Sequence, residues 1–491
     1  MHIIGVDIGT TNTKAVAFTL DGKVLGSAGV ANTPLPGEPG GHELDPESLF
    51  RGVLDCLNEL LRQTAGQEGL SGISFSCAMH SLIAVDGQGR PLTAAITWAD
   101  LRSKDFAAAL KKTPLGKRIY RQTGTPVHAM SPLTKLLWLK DSSPAIFREA
   151  ARFISIKEYI WWRLFGKYQV DHSLASATGL FDLYSFDWNA EALETAGITA
   201  ARLSEPVPCT HIERERKGDS PSLPLPADLP FIIGGGDGAM ANLGTRAVRP
   251  GETALTIGTS GAVRMIAAAP RYDPKERIFN YIITEKLYLC GGATNNGGGA
   301  VEWTIENFLN KSLDGSGGLD SFVQEAVTIA PGCEGLIFLP YLQGERAPVW
   351  NADAKGVFFG IRSQHTQRHF MRSVIEGISY SLFQVGTSLE ETIGPIDCIY
   401  ASGGFTRSKA WLQLIADVFN RKVYVTNTAD ASAIGAAIMG YYALGSIGGL
   451  EGSADLIRVQ AIYEPDQERH EVYQKNFKVF AALYERLQDL M

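Results

Sequence analysis

The sequence predicts an α/β protein built from a duplicated unit, and three observations carry that prediction. Short apolar runs with strand character alternate with amphipathic helical stretches through both halves of the chain. Gly5-Val6-Asp7-Ile8-Gly9-Thr10-Thr11 and Leu255-Thr256-Ile257-Gly258-Thr259-Ser260-Gly261 each carry an apolar strand into a glycine turn bearing hydroxyls. At 491 residues the chain also exceeds what a single core supports. Turns of this kind present backbone N–H groups and hydroxyls together, a concavity suited to phosphate. Two of them in one chain point to a polyphosphate held between two halves.

The elements follow in order. His2 to Ile8 reads as a strand, Lys14 to Leu20 as a second, and Asp21-Gly22 turns the chain into a third over Lys23 to Val30. Asp45 can cap a helix that has Pro46 at its first position and Leu49, Val53, Leu57 and Leu60 on one face. Strands are predicted at Gly72 to Cys77 and Leu82 to Val85, with a turn at Gly87-Gln88-Gly89. The stretch from Pro206 to Pro230, rich in proline and charge, reads as a surface excursion. Phe231 to Ile233 then forms a buried strand entering Gly234-Gly235-Gly236-Asp237-Gly238. Arg249-Pro250-Gly251 marks the domain boundary, which divides the chain into residues 1–247 and 248–491. The second half repeats the strand at Ala254 to Gly258. Strands near Tyr288 and Leu336 follow, then a long helix around Arg368 to Leu389, a strand-turn at Cys398 to Gly404, and helices at Lys409 to Asn420 and Ala431 to Leu444.

Composition excludes several classes. A hydrophobic content of 45% with 20% charged residues describes a globular chain, and a net charge of −7 argues against nucleic acid or an anionic membrane surface as partner. The six cysteines lack C-x-x-C spacing, so neither a disulfide framework nor a zinc site is indicated, and they read as thiols of a reducing cytoplasm. No leader segment precedes the first strand and no run is long enough to span a bilayer, so a cytoplasmic location is expected.

Several residues have the chemistry for a phosphate-handling site. Asp7 ends a buried strand beside Thr10, Thr11, Asn12 and Lys14, where a carboxylate suits water-mediated Mg²⁺ and the turn amides and lysine meet phosphate charge. A hairpin with a polar turn would explain one such copy, but the repeat at Gly258, Thr259 and Ser260 favours the phosphate reading. Asp237 stands behind three glycines at a strand end. It serves either as a turn residue or as a general base exposed to a ligand. Ser402-Gly403-Gly404 precedes a helix and either admits a nucleotide or simply turns the chain. Neither a G-x-G-x-x-G fingerprint nor a P-loop is present. Met79-His80 and Asp100 with Arg102 offer donors and acceptors for a polyol, with Trp98 as an apolar wall. Arg102 or Lys135 could face a substrate carboxylate. His128, His172 and Trp161-Trp162 read as structural.

Taken together these residues resemble the FGGY family of carbohydrate kinases, within the actin-like, ribonuclease-H-like ATPase superfamily. The likeness runs end to end. It rests on Met130 to Leu139 (with Ser142 departing from the usual acidic or amide residue), on Tyr341 to Pro348, and on Gly356 to Ile361 with His369-Phe370 and Ser373 to Glu376. The resemblance implies two ribonuclease-H-like domains around a central cleft, sugar held mainly by the first and ATP mainly by the second. It implies Asp237 as catalytic base, Asp7 and Asp237 beside Mg²⁺, phosphate contacts at Thr11 and Thr259-Ser260, and nucleotide contacts at Gly403-Gly404. Within the family, Ala78 to Ser81, Thr97 to Ser103 and Gly124 to Pro132 look most like the gluconokinases. Xylulokinases typically carry Gln before Met-His-Gly and Asn-Asp where this chain has Ala99-Asp100. Glycerol kinases carry an Arg-Glu pair that is missing near His80. The resemblance therefore implies an ATP- and Mg²⁺-dependent kinase of a small sugar acid, with Met79, His80, Asp100, Arg102 and Asp237 on the substrate. The alternatives are a pentulose kinase or, from another class, an actin-like ATPase switch or filament protein. A chaperone would need a peptide-binding domain beyond the ATPase core, and none is expected within a chain that ends at Met491. A homodimer is the family-level expectation.

Overall fold

The computed structural model describes residues 1–67, 69–217, 223–309, 318–427 and 430–491. The first half opens with β1 (His2–Ile8), β2 (Asn12–Thr19) and β3 (Val24–Ala31), an antiparallel run in which Asp7 lies opposite Lys14. Helix α1 (Pro46–Gln63) starts where the sequence predicts, with the Asp45 carboxylate accepting the Ser48 N–H at 3.0 Å. Strand β4 (Leu70–Cys77) pairs parallel to β1 and sets Ser76 opposite Asp7. Helices α2 (Pro132–Ser142) and α3 (Ile156–Phe165) lie in the long connection to β5 (Ile212–Glu213) and β6 (Phe231–Gly236). The sheet order is β5-β6-β4-β1-β2-β3.

The stretch from Pro206 to Pro230 departs in part from the expected surface excursion. Glu205–Val207 pairs with Gln169–Asp171, β5 adds an antiparallel edge to β6, and Val207, Cys209, Leu223 and Leu229 are buried. Proline is tolerated on such edge strands, where a missing N–H interrupts no ladder. Residues 218–222 of that stretch lie outside the described residues.

Helix α4 (Asp237–Gly244) leads into the second half, which begins β7 (Glu252–Ile257), β8 (Gly261–Ala267), β9 (Phe279–Thr284) and β10 (Leu287–Thr294). Then come α5 (Gly298–Trp303), α6 (Gln367–Thr392), β11 (Cys398–Ser402), α7 (Lys409–Phe419), β12 (Lys422–Thr426), α8 (Ala431–Ala443) and β13 (Val459–Tyr463). This sheet reads β9-β10-β8-β7-β11-β12-β13. Apart from the extra edge β9, it repeats the first sheet strand for strand, including the parallel pairs and the antiparallel last edge. The duplication anticipated from two turns thus extends to whole domains.

Helix α8 is reached from the second sheet but buries its face on the first. Its sequence is almost free of charge, so all sides can be covered, and its small residues permit backbone contact. A Cβ on Gly5 would lie 1.8 Å from the Ala433 carbonyl oxygen, and one on Gly435 would lie 1.8 Å from that of Met240 on α4. Gly5→Ala is therefore expected to cost about 3 kcal/mol of stability. A melting curve superimposable on wild type would contradict this packing. Among the described residues no helix is long and apolar enough to cross a membrane.

Candidate active site

Asp237 is delivered by β6, whose six residues are all buried. Gly234 has φ +67, and a Cβ there would meet the Phe75 carbonyl oxygen at 1.7 Å, so only glycine lets β6 lie this close to β4. Lys157 on α3 donates to the carbonyls of Ile233 and Gly235, both at 3.1 Å, and pairs with Asp171 at 2.5 Å. Ser173 accepts the Gly236 N–H at 3.1 Å. The Asp237 carboxylate accepts the Gly238 N–H at 2.8 Å at the start of α4. Burial pushes its pKa up, opposed by the guanidinium of Arg264 and the N–H groups of Gly238 and Met79. A carboxylate held this way keeps basicity for a hydroxyl proton.

Asp7 faces the same region. Ser76 donates to it at 2.6 Å, yet burial, helped by the neighbouring charge of Asp237, raises its pKa to about 7. Two carboxylates that feel each other's charge suit Mg²⁺, which takes one or two protein carboxylates and fills its remaining positions with water and phosphate. Among the described residues no cluster of three or more His, Cys, Asp or Glu side chains could hold a metal alone. The adjoining turn is buttressed by Asn32, a residue with no sequence signal: its side chain donates to the Gly9 carbonyl at 2.7 Å and its N–H to that of Thr11 at 2.8 Å. Thr11 and Asn12 are exposed at its tip, and Thr10 lies beside them. Lys14 does not point at that tip. Its ammonium binds Asp430 at 2.8 Å, at the entrance of α8.

The second turn is doubled. Gly258 and Thr259 accept the N–H groups of Gly298 and Gly299 at 2.7 and 3.0 Å, so the glycine run 297–299 at the start of α5 stacks on the Gly258-Thr259-Ser260 turn. Side chains at 297 or 298 would collide with carbonyl oxygens of that turn. Next to it, Gly403 has φ +97 and crosses the Ile257 carbonyl, while Gly403 and Gly404 are exposed. Thr256 bonds Ser402 at 2.9 Å, the register equivalent of Asp7 with Ser76.

The structure brings Met79, with His80 next to it, against the turn that carries Asp237. The Met79 side chain lies against Gly236, and Trp98 donates to Thr10 at 3.4 Å, joining the predicted apolar wall to the Thr10-Thr11 turn. His80 holds φ +68, a strained value for a residue with a side chain. Lys135 fixes it there by donating to the carbonyls of His80 and Met130 at 2.6 and 2.7 Å. Of the two basic groups offered for a substrate carboxylate, Lys135 is thus engaged in holding backbone. His80 Nδ1 bonds the Ala177 carbonyl at 2.7 Å and Nε2 meets the Tyr281 hydroxyl at 3.3 Å.

Burial, with Lys135 and Arg346 nearby, depresses His80 to about 3, and burial with Arg346 and Lys111 does the same to His128. The unfolded chain takes up protons at both from the ordinary value of 6.5 downward, and the folded chain does not until about 3. Stability therefore falls as pH drops below 6.5, by about 1 kcal/mol per histidine between pH 7 and 5.5. Chemical denaturation across that range should show a shallower loss in His128→Asn than in wild type.

Asp100 is buried, and both it and Arg102 are engaged by other protein groups. The Asp100 carboxylate accepts the His42 N–H at 2.9 Å and the Arg102 guanidinium at 2.7 Å. Arg102 also pairs with Glu38 and Glu43 and stacks on Trp138. Three carboxylates leave it no free charge for a fourth, so this pair shapes the wall that carries Trp98.

Three residues of the second half complete the pocket: Tyr281 on His80, Arg346 stacked 4.4 Å from the Trp98 ring centroid, and Arg264 beside Asp237. Arg346 lies within the Tyr341 to Pro348 stretch. Arg264 is the single polar residue of β8, and Tyr281 is one of several polar residues in β9, with no local pattern to mark either.

Comparison with known proteins agrees with this architecture. Residues 2–244 match the N-terminal domain, and residues 253–444 the C-terminal domain, of the FGGY family of carbohydrate kinases. Over 99% of its length the chain is 39% identical to a gluconokinase of Bacillus subtilis, covering 96% of that protein. Among solved structures it is similar to a gluconate kinase from Lactobacillus acidophilus, with 33% identity, a TM-score of 0.94, and 99% and 98% of the two chains covered. A ligand-bound xylulose kinase from the same organism gives 33% identity, a TM-score of 0.93 and the same coverage.

Proposed function

The chain belongs to the FGGY family of carbohydrate kinases, and from that premise we propose that it transfers the γ-phosphoryl group of ATP to the terminal hydroxyl of D-gluconate, giving 6-phosphogluconate. The observation that supports this chemistry is the half-buried Asp237 carboxylate at the start of α4, close enough to Asp7 for each to feel the other's charge. Choice of gluconate draws support from the B. subtilis gluconokinase, similar along the whole chain.

In this reading Met79, His80 and Trp98 orient the acceptor so that its terminal hydroxyl meets the Asp237 carboxylate. That carboxylate takes the proton as the oxygen attacks phosphorus in line. The neutral His80, its Nδ1 donating to the Ala177 carbonyl, accepts the Tyr281 hydroxyl at Nε2 and so turns that oxygen's lone pairs toward sugar hydroxyls. Thr10, Thr11 and Asn12 from one side, and Gly258, Thr259 and Ser260 from the other, direct backbone N–H groups and hydroxyls at the phosphates. Gly403 and Gly404 leave room for the nucleoside. Asp7 and Asp237 would hold Mg²⁺, which neutralises charge developing on the transferring group. Closure of the halves excludes water, without which ATP would be hydrolysed.

The test is a panel of gluconate, xylulose, ribulose and glycerol with ATP and Mg²⁺. Gluconate is expected to give the highest kcat/KM by at least tenfold. Preference for xylulose would move the protein to the reading favoured by its likeness to the xylulose kinase structure.

A further inference from the structure

We propose that Arg264, on the second half's strand β8, is the residue that binds the carboxylate of the acceptor and so sets the preference for a sugar acid over an uncharged sugar. The proposal rests on the gluconate reading above and names the group that would read its charge.

Most basic side chains near Asp237 and His80 are already engaged. Lys135 is held by two carbonyls, and Arg102 by three carboxylates. Arg346 donates Nε to Asn295 at 2.8 Å and Nη2 to the Thr294 carbonyl at 3.0 Å, with its plane on Trp98. Arg264 differs from all of these. Its Nη1 is buried and has no hydrogen-bond partner among the described residues.

Its position follows from strand alternation. Ala262, Arg264 and Ile266 share one face of β8, and on that face the Arg264 side chain passes beneath the first turn of α4. Nε lies 3.3 Å from where a Cβ on Gly238 would stand, and Met79 Cε lies 3.3 Å from the same point. The guanidinium therefore borders the pocket lined by Met79 and Asp237. It interacts electrostatically with Asp237 yet makes no ion pair with it. A carboxylate and, near it, a cation with an unpartnered N–H match a ligand that carries both a hydroxyl and an anion.

Carboxylate suits this cation better than a sugar hydroxyl does. A guanidinium presents parallel N–H groups that a carboxylate accepts two at a time, and the pair cancels charge in a place where water is excluded. A hydroxyl accepts one N–H and leaves the charge buried. Burying an unpartnered cation costs several kcal/mol, and an anionic substrate would offset that cost on binding.

The experiment compares gluconate with gluconamide, its neutral amide, in wild type, Arg264→Met and Arg264→Lys. Wild type should favour the acid. In Arg264→Met the KM for gluconate should rise about a hundredfold, with kcat changing far less, and the preference for acid over amide should collapse toward parity. Arg264→Lys, which keeps charge without the fork, should recover part of that preference. ATP binding and melting temperature show that each variant is folded. Should Arg264→Met fail to fold, Arg264→Lys carries the test, with at least a tenfold fall in the acid-over-amide ratio expected. A variant that keeps the wild-type ratio would overturn the proposal. So would an equal fall in kcat for both substrates at constant KM, which would place Arg264 at the phosphoryl end beside Asp237. Wild type that fails to phosphorylate gluconate would overturn the substrate reading itself, a result seen before any variant is made.

Discussion

Asp237→Asn is expected to lower kcat for sugar phosphorylation by about a thousandfold, within the range that general-base catalysis supplies. The amide keeps the shape of the side chain and its hydrogen bond from Gly238, but it cannot take the hydroxyl proton. Nothing in β6 should shift, since its backbone is held by Lys157 and Ser173 and not by the Asp237 side chain. In the proposed reading the nucleotide is held by the stacked Gly258 and Gly297 turns and not by Asp237, so ATP binding measured by calorimetry should stay within a few-fold of wild type. Turnover above a tenth of wild type would remove Asp237 from the mechanism. A loss of ATP binding alongside turnover would make its role structural.

Lys157→Met is expected to destabilise the first half by about 3–5 kcal/mol, because it strands the buried Asp171 carboxylate without its cation. The same change frees the carbonyls of Ile233 and Gly235, four and two residues before Asp237. Turnover should therefore fall further than folding alone explains, read as specific activity of the folded fraction at low temperature. Asp171 also caps the short helix 172–176 through the Leu174 N–H at 2.9 Å, a bond that Asn can keep. The double variant Lys157→Met/Asp171→Asn should accordingly be more stable than Lys157→Met alone. Simple additivity in denaturant unfolding would show that the two side chains do not act as a pair.

What was legible in the chain was local. The Asp45-Pro46 start of α1, the apolar runs of β1 and β7, and the glycines before Asp237 each act within a few residues, so each leaves a readable pattern. The excursion from 206 to 230 keeps, at most of its described positions, at least part of the exposure that its prolines predict, whereas its edge pairing and the burial of Cys209 and Leu229 are decided elsewhere in the chain. At the site, the same limit separates Asp237 from Arg264. Asp237 advertises itself by the turn that presents it. Arg264 is a lone charge in an apolar strand, and its meaning depends on α4 crossing over it. Asp100 and Arg102 looked like binding groups for the converse reason: Glu38, Glu43 and the His42 N–H, which engage them, lie some 60 residues away in sequence. Lys14 likewise meets Asp430, 416 residues distant.

The contact of α8 with β1 and α4 also has a mechanical consequence. Where backbone touches backbone at Gly5, Gly244 and Gly435, no layer of side chains remains to slide or compress. The halves cannot press closer along that seam, and swinging about it is the motion that this packing leaves open. The helix pair α4 and α8 is the expected axis of such a swing. Asp237 stands at the first residue of α4, near that axis, where an angular excursion would move it least. The two glycine turns, further out, would travel more.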